Sequence, residues 1–192
     1  MKKFNIAIFA SGSGSNAEQI FTYFKNHPTI TVSMLLSNNA QAFALERADR
    51  FNIPTKTFTK QQFRESEIVL KWLHDANITH VVLAGFLWLV PDYLIKAFPN
   101  KIINIHPALL PRFGGAGMYG MKVHQAIKDK GETETGITIH EVNEHYDEGK
   151  IVFQASCKVD SHDTPEQIAN KVHQLEYAHY PVVIEKWINS LL

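Results

Sequence analysis

Short apolar runs alternate with amphipathic stretches along nearly the whole chain, and that alternation predicts an α/β protein. Residues 4–10 are apolar apart from Asn5 and form a first strand buried on both faces, as at the centre of a parallel sheet. Ala17, Ile20, Phe21 and Phe24 then follow helical spacing over residues 17–24. The pattern continues with a strand over 30–36, a helix over 42–51, a short strand over 55–58 set by Pro54, a long amphipathic helix over 61–77 and a buried strand over 80–84. Further on come a strand over 102–106 stopped by Pro107, a helix near 122–129, and strands over 136–140 and 151–159. Thr164, Pro165 and Gln167 open the last helix with a capping box and a first-turn proline, and Ile168, Val172 and Leu175 share one face. Pro181 should kink or break it, with a short helix resuming over 182–192. The expected fold is a mostly parallel, twisted, Rossmann-like sheet with helices on both faces, in a single domain over 1–192.

The loop between the first strand and first helix is Ser11-Gly-Ser-Gly-Ser-Asn16. Gly12 and Gly14 allow a tight turn and a close backbone approach, while the hydroxyls of Ser13 and Ser15 and the N–H groups at the helix start suit phosphate oxygens. The alternative is a plain turn with Asn16 as helix N-cap. Gly12-x-Gly14-x-x-Ala17 also fits a dinucleotide fingerprint, so a nicotinamide enzyme is a rival. That fingerprint needs an acidic residue after the second strand, where Ser37-Asn-Asn39 stands instead, and Arg47 lies inside the next helix. A non-catalytic nucleotide-binding module would keep the loop alone.

Asn104 and His106 are the polar exceptions in Ile102-Ile-Asn-Ile-His106, and residues two apart on a strand share a face. An amide donor beside an imidazole at a strand's carboxyl end suits an oxyanion; the other reading is an asparagine tying down a turn beside a hydrogen-bonded core histidine. Phe86, Leu87, Trp88, Leu89 and Val90 follow a strand end and can wall a flat heteroaromatic ligand, or simply be core with one exposed tryptophan. Arg64, near the start of the long helix, is a surface cation or a ligand contact. Residues 111–120 hold four glycines, as a mobile lid would, and the polar turn over 143–149 carries Asn143 and Asp147.

Charge and composition narrow the class. With 19 basic and 19 acidic residues the formal charge is zero, so nucleic acid is disfavoured as a partner. The lone Cys157 has no intrachain disulfide partner and is expected as a strand residue. The ten histidines show no metal-ligand spacing, so no metal is expected. The apolar run after Met1-Lys-Lys is too short for a signal peptide and no stretch is long enough to span a bilayer, so a cytoplasmic protein acting on small molecules is expected. Trp88 and Phe113, expected to be exposed, hint at an interface, as in a monomer or weak homodimer.

Gly-Ser-Gly-Ser-Asn16, Leu83-Ala-Gly-Phe86, Asn104-Ile-His-Pro-Ala-Leu-Leu-Pro111 and Asp147-Glu-Gly149, in this order and spacing, resemble the phosphoribosylglycinamide formyltransferase family of folate-dependent formyl transferases. The resemblance covers nearly the whole chain and implies the Rossmann-like formyltransferase fold. It implies that 10-formyltetrahydrofolate is co-substrate and that glycinamide ribonucleotide accepts the formyl group in purine biosynthesis. Asn104, His106 and Asp147 match the family's catalytic trio. Gly12, Ser13, Gly14, Ser15 and Asn16 would receive the nucleotide phosphate, and Glu176 would contact the same substrate. Phe86 to Val90 would lie along the pterin, with Asn143 to Asp147 closing over it and Arg64 as a further folate contact. Residues 112–120 form a longer and more glycine-rich loop than the family's short linker, and the helix with Arg64 aligns only loosely. Related hydrolases and methionyl-tRNA formyltransferases carry an extra domain for which this chain is expected to have no room. In the implied reaction the amine, with a pKa of about 7.7 to 8.0, attacks unaided. Asn104 and a His106 kept cationic near pH 7 by Asp147 would then meet the oxyanion, and His106 would protonate the leaving folate nitrogen.

Overall fold

The first strand, β1 (Phe4–Phe9), buries every side chain except that of Asn5, and so needs a neighbour on each edge and a layer on each face. The computed structural model, which describes residues 2–191, supplies both edges: β1 pairs in parallel with β2 (Ile30–Ser37) and with β4 (His80–Leu83). β3 (Thr55–Thr57) pairs in parallel outside β2. With β5 (Ile102–His106), β6 (Glu134–Glu141) and β7 (Ile151–Lys158) the sheet order is β3-β2-β1-β4-β5-β6-β7. This is the mostly parallel α/β architecture expected. The chain divides within β5 into two compact units, one ending at Ile103 and the other beginning at Asn104.

In the first unit, helices α1 (Ser15–Phe24), α2 (Phe43–Arg50), α3 (Lys60–Arg64), α4 (Ile68–Asp75) and α5 (Asp92–Ala97) alternate with the strands. Phe9, Phe58, Phe63 and Phe86 make an aromatic core, with Phe58 and Phe63 stacked at 4.8 Å and Phe9 and Phe86 edge-on at 5.4 Å. The single helix expected over 61–77 is in fact two, α3 and α4. The Thr59–Gln62 capping box starts the first, and the Ser66 hydroxyl accepts from the Ile68 N–H at 3.2 Å, so a side chain takes over a bond that a continuous helix would make internally. Arg64 thus ends α3, exposed, instead of standing near the start of a long helix. Helix α5 was not anticipated, although Pro91 followed by Asp92 is a start signal.

The second unit holds the antiparallel pair β6–β7, helix α6 (Met121–Asp129) and helix α7 (Pro165–Ser190). Ala108, Val123, Ile127, Val159 and Ile168 form its core, with Phe113 and Met118 packed against them. The Thr164–Gln167 capping box opens α7 as its sequence requires. Pro181 does not end α7, which runs unbroken through it. A proline inside a helix costs about 3 kcal/mol, but Tyr180, Val183, Ile184, Trp187 and Ile188 around it are buried, and each such side chain contributes about 1.5 to 3 kcal/mol. Cys157 lies half-buried in β7, as expected. Among the described residues no helix is long and apolar enough to cross a membrane.

Two buried histidines give the fold an acid limit. Burial, reinforced by Lys101 and Lys2 for His80 and by His173 and His106 for His124, lowers each pKa from 6.5 to about 4. Above pH 6.5 both are neutral folded or unfolded, and stability is full. As pH falls from 6.5 toward 4 the unfolded chain takes up protons that the folded chain refuses, so stability falls by roughly 3 kcal/mol per histidine. His124→Gln is expected to flatten that loss, as read by urea unfolding across the window.

Candidate active site

In the first unit, β1 delivers the chain into the serine-rich loop at Ser11, whose N–H donates to the Gly85 carbonyl at 3.0 Å and whose hydroxyl accepts from the Leu87 N–H at 3.0 Å. Gly14 is left-handed (φ 71°), and a Cβ there would lie 2.5 Å from the Cβ of Ala44, so only glycine fits. Gly12 is free of that demand, with nothing within 4 Å. Gly14 also takes the N-cap position of α1, which places Asn16 in the first helical turn and not at the N-cap. Ser15 and Asn16 therefore belong to the part of α1 whose N–H groups lack helical acceptors, and Ser13 precedes it exposed.

Arg47, set aside as a residue inside the next helix, reaches this loop. Its Nε donates to the Ser13 carbonyl at 2.9 Å, it pairs with Glu18, and its guanidinium lies 4.9 Å from the Phe43 ring centre. The helical step from Phe43 to Arg47 was the available signal. The Phe86–Val90 stretch divides by burial. Phe86 and Val90 belong to the core, whereas Leu87 is exposed and Trp88 and Leu89 are half-buried. Trp88 and Phe113 are thus not the exposed aromatics expected, because each packs on neighbouring core side chains.

In the second unit, the His106 side chain is 5% exposed, with Nδ1 3.5 Å from Asp147 Oδ2 and Nε2 2.7 Å from the Phe113 carbonyl. The N–H of Gly115 donates to Asp147 Oδ2 at 2.9 Å. Asn104 joins through His140, whose Nε2 is 3.1 Å from Asn104 Nδ2 and 3.6 Å from Asp147 Oδ1. Asn104, His106 and Asp147 are thus brought together, with His140 as the member that sequence reasoning missed. Its signal was the one used for β5: Thr138 and His140 are polar residues two apart in a buried strand. Thr138 shows the same logic, donating to the Ala108 carbonyl at 2.7 Å and accepting from the Leu110 N–H at 2.9 Å, which fixes the chain leaving β5.

Burial tends to raise the pKa of Asp147, but His140, His106 and the Gly115 N–H together hold it below 3.8. For His106 the expected direction is reversed. Burial lowers its pKa below 6.5, outweighing Asp147 and the Phe113 carbonyl, which raise it. Nε2 donates to the Phe113 carbonyl, which can only accept, and Nδ1 faces Asp147. Glu176 is buried on α7, where its charge adds to burial in raising the Tyr180 pKa. Asn143 is half-buried, its Oδ1 accepting from the His145 N–H at 3.0 Å. Among the described residues no group of His, Cys, Asp or Glu side chains is arranged to hold a metal.

The model of the formyl transferase family matches residues 4–184. The chain belongs to the formyl transferase family. Similar members include the phosphoribosylglycinamide formyltransferase of Bacillus subtilis, 39% identical over 97% of this chain and 94% of that protein. The chloroplastic phosphoribosylglycinamide formyltransferase of Arabidopsis thaliana is 39% identical over 93% of this chain, which matches 63% of that protein's length. The crystal structure of phosphoribosylglycinamide formyltransferase from Streptococcus pneumoniae TIGR4 superposes with a TM-score of 0.85 at 32% identity, covering 98% of this chain and 99% of that one. In this formyl transferase, then, the trio read from the sequence lies in one unit and the serine-rich loop in the other.

Proposed function

We propose that this formyl transferase moves the formyl group of 10-formyltetrahydrofolate onto the amine of glycinamide ribonucleotide, giving formylglycinamide ribonucleotide in purine biosynthesis. The observation that carries the reading is the buried His106–Asp147 pair with Asn104 attached to it through His140. The neutral amine attacks the formyl carbon, giving a tetrahedral centre with an alkoxide oxygen and an ammonium nitrogen. Asn104 donates an N–H to the alkoxide. The ammonium proton passes to the His106–Asp147 pair, and His106 gives a proton to the folate nitrogen as the carbon–nitrogen bond to it breaks. The carbonyl reforms on the new amide, and His106 returns to its starting state.

In the same reading Gly12 to Asn16 receive the nucleotide phosphate, Glu176 contacts the nucleotide, and Leu87, Trp88 and Leu89 flank the pterin with Arg64 and Asn143 as outer folate contacts. Initial rates with 10-formyltetrahydrofolate, with and without glycinamide ribonucleotide, test it: turnover should require the nucleotide. Nucleotide-independent loss of formyl folate would make the protein a hydrolase, and no turnover would leave only a binding site. Arg47→Met, which frees the Ser13 carbonyl and so loosens the loop that receives the phosphate, should raise KM for the nucleotide about tenfold, the worth of a charge-assisted hydrogen bond, and leave kcat within about twofold.

A further inference from the structure

We infer that His140 is a positioning residue that fixes the direction of the Asn104 amide, with its own tautomer set by the Glu141 carbonyl. The inference rests on the oxyanion role of Asn104 proposed above. His140 Nδ1 is 2.9 Å from the Glu141 carbonyl oxygen, which can only accept, so the ring proton is on Nδ1. With Nδ1 donating, Nε2 is the ring nitrogen left to meet Asn104, whose Nδ2 can only donate. Its nearer partner is Asn104 Nδ2 at 3.1 Å, against 3.6 Å to Asp147 Oδ1, so one amide N–H of Asn104 donates to it. That bond settles which end of the amide is nitrogen, and with it where the second N–H points.

An unrestrained asparagine amide turns over easily, exchanging donor for acceptor, and an acceptor aimed at a developing oxyanion would repel it. The His140 side chain is only 3% exposed, so water is a poor substitute for its nitrogen. The Glu141 carbonyl is itself held. The Glu141 N–H donates to Lys150 at 2.8 Å, and Glu141 Oε1 accepts from the Trp187 indole at 3.2 Å. Gly149 makes room for that carbonyl, since a Cβ there would sit 1.6 Å from it and 3.3 Å from His140 Nδ1. The glycine of Asp147-x-Gly149 thereby acts on Asn104 through two hydrogen bonds.

The test combines kinetics with nitrogen NMR on the full chain. His140→Phe should lower kcat about 10- to 100-fold, as misplacing a catalytic group does, with both KM values within about twofold. His140→Gln, which keeps an amide near the Nε2 position, should recover most of that loss. In an Asn104→Ala background His140→Phe should cost less than about twofold more, because its partner is gone. Equal losses in both backgrounds, an unchanged kcat in His140→Phe, or a His140→Gln enzyme no better than the phenylalanine variant would each overturn the inference. Spectra of 15N-histidine-labelled protein should show His140 protonated at Nδ1 and bare at Nε2, and the opposite tautomer would overturn it without any assay. Absence of nucleotide-dependent turnover in the unsubstituted protein would instead overturn the proposed reaction, with the tautomer still decided by the spectra.

Discussion

Replacing His106 with alanine is expected to lower kcat by about 100- to 10,000-fold, the usual range for a positioned acid–base group. The size follows from the double duty that the proposed reaction gives the side chain. Without it the ammonium proton of the tetrahedral centre has no carrier, and the folate nitrogen must leave as an anion or wait for water. Asp147→Asn should fall in the lower part of the same range and should also move the acid limb of the pH–rate profile. His106 is already pulled below 6.5 by burial, with Asp147 opposing that pull. Removing the opposing charge lowers the pKa further, so the limb moves to lower pH. Substrate amine titration is common to both enzymes and does not contribute to the difference. An Asp147→Asn profile superimposable on the original would show that the carboxylate does not act on the histidine.

Gly149→Ala is expected to cost about 4 kcal/mol or more of folding stability and to abolish transfer. The cause is a methyl group placed 1.6 Å from the Glu141 carbonyl oxygen, which is backbone and cannot rotate away. To admit it, the turn between β6 and β7 has to open, breaking the Glu141–Lys150 bond and releasing the carbonyl from His140. Urea unfolding measures the first effect and initial rates the second. A variant as stable as the unsubstituted protein would show that the turn relaxes cheaply.

What the sequence revealed and what it hid have separate physical causes. Alternation of buried strands and amphipathic helices is a property of single segments, so β1, the strand bearing Asn104 and His106, and the capped start of α7 were legible. Ser66 and Pro181 misled in opposite directions because local preference was outweighed by a side-chain bond in one case and by burial in the other. The polar pair on β5 and Asp147 could be found, the first by period-two spacing and the second by resemblance. His140 and Arg47 left only a spacing signal in the sequence, and the backbone groups of Phe113 and Gly115 left none, because each acts through a contact made across a turn or from a neighbouring element. The lowering of the His106 pKa was hidden for a related reason: an opposite charge can be guessed from a motif, whereas the depth of burial that outweighs it belongs to the packed chain.

One segment between β5 and α6 supplies both a carbonyl to His106 and an N–H to Asp147. The resting enzyme thus carries its own placeholder. Two buried polar side chains are thereby kept satisfied by backbone, which spares the protein the desolvation cost that such groups otherwise impose. In the proposed reaction, entry of a substrate becomes an exchange of one set of hydrogen bonds for another, and selectivity rests on the difference between the incoming bonds and those surrendered.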